Sequence, residues 1–281
     1  MSTLRELSSP VDAPSPGLLL RVFPAGMYAG RARTLVMRSA LAARGVWLAL
    51  VSGFFEPLFY LVAMAQGLGS LVGTVAGPAG QQLSYAMFVA PGLLAASAMN
   101  GAVYDATFGF FMRLKYARLY EGVLATPLGP ADIALGEIGW CLLRGGMYSA
   151  SFLGVMLIAG LISSPWALLA LPAASLVAFA FASVGIAATT FMRSWQDFDL
   201  VQLVLVPMFL FSATFFPLSV YPPAVQWLVR IFPLYHAVAL LRGLTTGAVG
   251  WPMLGHAAYF AIMAAVGLVA AARRLKTLLL R

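Results

Sequence analysis

FMRLKYARLYEGVLATPLGPADIALGE, residues 111–137, is the longest well-charged stretch in a chain that otherwise reads as lipid-soluble. Tyr116, Leu119, Tyr120 and Val123 stand at i, i+3, i+4 and i+7, which predicts a helix with one apolar stripe. Lys115, Arg118 and Glu121 point away from that stripe. Thr126-Pro127 and Gly129-Pro130 then stop the helix, because proline lacks the N–H and pushes the residue before it out of the α region. Two readings are open: a short amphipathic helix that a soluble partner grips, or a solvated loop lying on lipid headgroups.

What flanks this stretch fixes the class. Of 281 residues, 62% are hydrophobic and 9% charged, whereas a soluble domain carries about 25% charged residues. With a mean hydropathy of +0.91, the chain is expected to be an all-α polytopic membrane protein with one membrane domain. Its net charge of +8 is then a matter of topology and not of nucleic acid. The single cysteine, Cys141, lies in an apolar run and offers neither a disulfide framework nor a thiol metal site. No signal peptide is expected at the N-terminus.

In chain order, residues 1–25 form a Pro/Ser-rich tail, and 26–281 the membrane domain. Residues 27–44 carry Arg31, Arg33, Arg38 and Arg44; Arg31, Thr34 and Arg38 share one stripe, as in an interfacial helix. Spans are expected at about 46–67, 85–109, 138–162, 166–191, 200–216 and 251–271. The first contains Glu56-Pro57, and a mid-membrane carboxylate costs ~2.5–3.5 kcal/mol on insertion scales, so Glu56 should face protein or water. Asp105 lies near the inner end of the second. In the third, Arg144 shares a face with Glu137 and Cys141, and it either reaches Glu137 or snorkels to the headgroups. Residues 217–250 are apolar but broken by Pro217, Pro222, Pro223 and Pro233 into helices too short to cross, which predicts a re-entrant hairpin. Of seventeen Lys and Arg, fourteen fall in the N-terminal region, the loop after the second span, the hinge 193–199 and the C-terminus. Both termini and the 111–137 loop are therefore expected to be cytoplasmic.

Chemistry is sparse. There is no G-x-x-x-x-G-K-[ST] to cradle ATP phosphates, no H-E-x-x-H, no G-x-S-x-G and no Cys/His cluster. Glu56 and Asp105 are a thin set for a proton relay. What is left is a passive scaffold with a cytoplasmic handle. Its rivals are a proton-coupled transporter and an integral membrane lipid-modifying enzyme.

Five stretches carry a resemblance: FFEPLFYLVAMAQGLGSLVG (54–73), YAMFVAPGLLAASAMNGA (85–102), RLYEGVLATPLGPADIALGEIGW (118–140), FASVGIAATTF (181–191) and FFPLSVYPPAVQWLVRIFPLYHAVALLRG (215–243). In order and spacing they resemble the membrane subunits of type-2 ABC exporters, above all the nodulation protein J branch of lipo-oligosaccharide permeases, with daunorubicin-exporter permeases further off. The resemblance implies a permease of the cytoplasmic (inner) membrane of a bacterium. It would act as two copies of this chain with two copies of a separate ABC ATPase subunit. ATP and Mg²⁺ would sit on that subunit, and no cofactor on this chain. Residues 118–127, with Arg118, Glu121, Thr126 and Pro127, would be the coupling helix. ATPase closure would push on Tyr116, Leu119, Tyr120 and Val123. Arg31, Arg33 and Arg38 would belong to the interface helix. Glu56, Phe108, Phe209, Phe211 and Phe216 would line the path of an amphiphilic substrate. Pro217, Pro233, Tyr235, His236 and Arg242 would shape the gate.

Overall fold

A computed structural model describes residues 31–279, the side chains of 46–54 excepted. The expected tail 1–25 and the start of the interfacial helix, 27–30, lie outside the described residues. Helix α1 (Ala32–Ala43) leads into α2 (Trp47–Ala63), which continues through a π-turn, Met64–Leu68, and one more turn, Gly69–Val72. An antiparallel ribbon follows, β1 (Thr74–Ala76) with β2 (Gln82–Ser84), Val75 opposite Leu83. Next come α3 (Tyr85–Tyr104), extended by π-turns Asp105–Gly109 and Met112–Tyr116, then α4 (Leu119–Leu124) and α5 (Pro130–Ile158). The last five helices are α6 (Ala170–Thr189), α7 (Phe198–Leu210), α8 (Pro223–Ile231), α9 (Pro233–Thr246) and α10 (Trp251–Leu279).

Among the described residues, five stretches are long and apolar enough to cross a membrane: Phe55–Val72, Tyr85–Tyr116, Pro130–Ile158, Pro165–Thr189 and Trp251–Leu279. The pair α8–α9 is bent by 87° at Phe232. The expectation of an all-α polytopic membrane protein therefore holds.

Helix α3 is the axis of the bundle, apolar on every face and buried along nearly its whole length. It packs on α2, α5, α6 and α9. Lipid is as apolar as leucine, so close approach and dispersion hold these helices together more than water exclusion does. The sequence supplies the approach: a Cβ on Gly101 of α3 would fall 3.1 Å from the Gly145 Cα of α5. Helix α1 is laid against α5 in the same way. A Cβ on Gly136 would come 2.6 Å from the Leu35 Cβ, so the two helices meet backbone to side chain there.

Two expected boundaries are corrected. The third span begins at Pro130, inside the segment expected to be loop, because Gly129-Pro130 starts a helix: proline's missing N–H costs nothing at the first helical position. The fifth expected span, 200–216, is helical only as α7, which has 13 residues. At 1.5 Å per residue that is roughly 20 Å, short of the ~30 Å hydrocarbon core. Beyond it the chain is irregular, with Ala213 at φ 56°, and residues 212–215 are buried. Irregular backbone at this depth needs internal hydrogen-bond partners. Arg242 of α9 supplies them, donating to the carbonyls of Ala213 (2.9 Å), Thr214 (3.3 Å) and Phe88 (3.1 Å).

Candidate coupling loop and cavity

The helix period around Tyr116 is broken at Arg118, whose φ of 46° lies in the left-handed region. Tyr116 therefore ends the second π-turn and does not share a helix with Leu119 and Val123. Helix α4 turns its apolar stripe inward. Tyr120 is buried against Phe110, ring centroids 5.4 Å apart, and Leu119 and Val123 pack half-buried on the core. The stripe expected to receive the push of a partner is thus spent on the chain itself, as an amphipathic helix on its own core should do. The outward surface is Tyr116, Arg118, Glu121, Thr126 and Pro127. Arg118 and Glu121 form a solvated 4.0 Å pair. A groove of about 330 Å³ runs beside them, between Lys115 and the last turn of α10 at Leu278.

Behind α4 lies an ion-pair chain. Glu137 on α5 is fully buried between Arg38 of α1 (3.1 Å) and Arg113 (2.8 Å). Arg113 also reaches Asp105 (3.2 Å), whose other oxygen faces Arg144 of α5 at 3.6 Å. Burial, and the Glu137 carboxylate beside it, hold the Tyr120 phenol well above its usual range, so it stays neutral. The expectation that Arg144 reaches Glu137 or the headgroups is corrected: Glu137 is already taken by two guanidinia, and Arg144 turns to Asp105 and to the Tyr148 hydroxyl (3.1 Å). The π-turns are the reason. The first inserts one residue into the helical register between Asp105 and Arg113, and both side chains face α5. Spacing along an ideal helix cannot reveal this, although five charges within reach of two span ends were a usable signal.

Of the three expected interface arginines, Arg38 faces inward to Glu137, whereas Arg33 is exposed. The Arg31 backbone N–H donates to Asp132 Oδ1 (2.9 Å), and the other Asp132 oxygen accepts from the Gly129 N–H (2.9 Å). One buried carboxylate thereby ties the start of α1 to the start of α5.

On its far side Arg144 borders a cavity of about 960 Å³ between α2, α3, α5 and α7. Glu56, Phe108, Phe209 and Phe216, expected along a path, all line it; Phe211 does not. Phe209 meets Tyr60 and Phe215 edge-on, at 5.7 and 5.3 Å. The residues expected at the gate sit elsewhere. Pro217 precedes a 3₁₀ turn, and Pro233 opens α9 at the bend. The His236 Nδ1 lies 2.8 Å from that of His256, with His236 stacked on Tyr259 (4.3 Å) and Tyr235 beside it (5.5 Å). Arg242 is a buried anchor for backbone carbonyls. Among the described residues no group of three His, Cys, Asp or Glu could hold a metal ion.

The profile described as "ABC-2 type transporter" matches residues 31–245. The chain is 33% identical over 216 residues to nodulation protein J of Rhizobium meliloti (strain 1021), covering 75% of this chain and 79% of that one. It is 35% identical over 201 residues to nodulation protein J of Rhizobium leguminosarum bv. trifolii, with coverages of 70% and 74%. To the inner membrane transport permease YadH of Escherichia coli (strain K12) it is 27% identical over 205 residues, with coverages of 70% and 75%.

Proposed function

The chain belongs to the ABC-2 type transporter family, and it is a multi-pass membrane subunit of a transport system; from that premise we propose that it is the permease of an ATP-driven exporter in a bacterial cytoplasmic membrane. A separately encoded ATPase, holding ATP and Mg²⁺, docks on the outward surface of α4 and in the adjoining groove, on the cytoplasmic side. Two copies of each subunit assemble, and the second permease covers the exposed apolar faces of α2 (Phe59, Val62) and α7 (Leu203, Val206). The substrate is amphiphilic, since the cavity wall is aromatic with a few polar groups along it.

The observation that carries this reading is the unbroken run of ion pairs from α1 through Glu137, Arg113 and Asp105 to Arg144 at the cavity wall. Docking at α4 displaces Arg113, which lies in the second π-turn, Met112–Tyr116, at the root of that helix. A change in either turn's register re-aims Arg113 and with it Asp105 and Arg144. Coupling between the two sites requires a second packing of this element that docking favours. Charge reversal at Arg118 and Glu121 together, R118E/E121R, leaves the core untouched and tests the reading. In proteoliposomes containing both subunits, substrate-stimulated ATP hydrolysis should fall several-fold while the basal rate of the ATPase persists. Stimulation at the wild-type level would reject α4 as the docking point.

A further inference from the structure

Taking the cavity as the substrate's path, we infer that it grips an amphiphile by an anionic headgroup (phosphate, sulfate or carboxylate) seated on Arg144. Three guanidinia, Arg38, Arg113 and Arg144, share two carboxylates, Asp105 and Glu137. One positive charge is therefore left over in the cluster. Both Glu137 oxygens are engaged at 3.1 Å or less, and Asp105 accepts its hydrogen bond from Arg113. Arg144 stands 3.6 Å from Asp105, and its hydrogen bonds go to the neutral Tyr148 hydroxyl at 3.1 and 3.3 Å. It has no hydrogen bond to a carboxylate.

Arg38 is 33% exposed, with its Nη1 buried and without a hydrogen-bond partner, but it does not line the cavity. Arg144 is 14% exposed, and it lines the cavity. Its guanidinium lies over the rings of Tyr104 (5.4 Å) and Tyr148 (5.5 Å), contacts that limit its rotamers at the cavity wall. A planar fork of this kind suits a phosphate, sulfate or carboxylate.

The rest of the wall sets the ligand's direction. Glu56 on α2 makes no ion pair among the described residues and repels an anion from the middle of the cavity. Beyond it lie Tyr60, Phe209 and Phe215, suited to an acyl chain. The headgroup thus lies at the Arg144 end and the tail runs toward the loops after α7.

The test is binding to the purified, detergent-solubilised full chain, which needs no ATPase and so stands apart from the coupling reading. Oleoyl lysophosphatidate, monoolein and inorganic phosphate are titrated separately by native mass spectrometry and calorimetry. Charge-assisted hydrogen bonds make the lysophosphatidate about ten- to hundredfold tighter than monoolein, with inorganic phosphate far weaker than either. Arg144→Gln should erase that preference, and Arg144→Lys should restore part of it. Should Arg144→Gln fail to fold, Gln202→Glu decides: it adds a carboxylate to the cavity wall at an exposed α7 position and should weaken the lysophosphatidate several-fold without changing monoolein. Equal affinity for lysophosphatidate and monoolein would overturn the inference. So would a preference that survives both Arg144→Gln and Gln202→Glu. Inorganic phosphate binding as tightly as the lysophosphatidate would make this a free-anion site and overturn the amphiphile.

Discussion

Glu137→Gln isolates the ion-pair chain, because it keeps the side-chain volume and removes only the charge. The wild-type carboxylate is fully buried with Arg38 and Arg113 on its two oxygens. Removing one partner of a buried pair costs about 3–5 kcal/mol, chiefly because the charge left behind has lost its counterion. Here the lower end applies, about 3 kcal/mol, since Arg113 retains Asp105 and Arg38 is a third exposed and can be rehydrated. Arg38→Gln alone should cost about 1 kcal/mol or less, as partly exposed pairs do. Equilibrium unfolding of the purified protein by SDS in mixed micelles, followed by circular dichroism, reads all of these. The double variant Arg113→Gln/Glu137→Gln should be less destabilised than the two single costs added, because a neutral amide pair replaces the ions. A Glu137→Gln cost below about 0.5 kcal/mol, or strict additivity in the double variant, would refute the reasoning.

Four further outcomes are expected. Gly136→Ala places a methyl against Leu35 and should lift α1 from α5 at a cost of about 1–3 kcal/mol, seen as faster amide exchange across 32–43; unchanged exchange would contradict the close approach. Arg242→Met strips hydrogen bonds from three buried carbonyls and should cost about 2–5 kcal/mol in the same SDS titration, and Arg242→Lys should rescue little because an ammonium cannot span them all. Tyr120→Ala should detach α4 at about 3–5 kcal/mol while Tyr120→Phe stays close to wild type, with proteolysis after Arg118 as the readout. The exposed Asp197 carboxyl is held below the usual carboxylate range by the backbone N–H groups of Arg193 and Ser194. Its folded value is depressed, so its contribution is present at neutral pH and is lost as pH falls through that lowered value. Trp195 fluorescence should report the loss below about pH 4, and Asp197→Asn should abolish the transition.

Composition made the fold class legible: a chain with so few charges has no soluble alternative. Proline made the bend legible as well: Pro233 opens α9, and Phe232 before it is extended. The direction in which α4 faces was not legible. Its apolar stripe is real, but periodicity says only that a stripe is buried, and the body that buries it turned out to be the chain's own core. Arg118 hid the helix break, since an arginine at positive φ carries no sequence signature. The ion-pair chain was hidden by the two π-turns, which move Asp105 and Arg113 off the faces an ideal helix assigns them. Arg242 resisted for another reason: its partners are backbone carbonyls, and no sequence pattern marks a carbonyl in need.

The carboxylate of Asp132 also imposes an order on biosynthesis. It takes its hydrogen bond from Arg31, 101 residues earlier in the chain, and Arg38 waits likewise for Glu137, 99 residues on. At about 5–20 residues per second, roughly 5–20 s of translation separate α1 from the residues that seat it. Throughout that interval α1 has only the lipid surface to lie on, its Leu35 and Val36 side dipped into the acyl boundary. The first of the described helices is thus not seated until the start of the third long span has been made. Misinsertion of α5 should therefore leave α1 unlatched at the membrane face, where quality-control proteases can reach it.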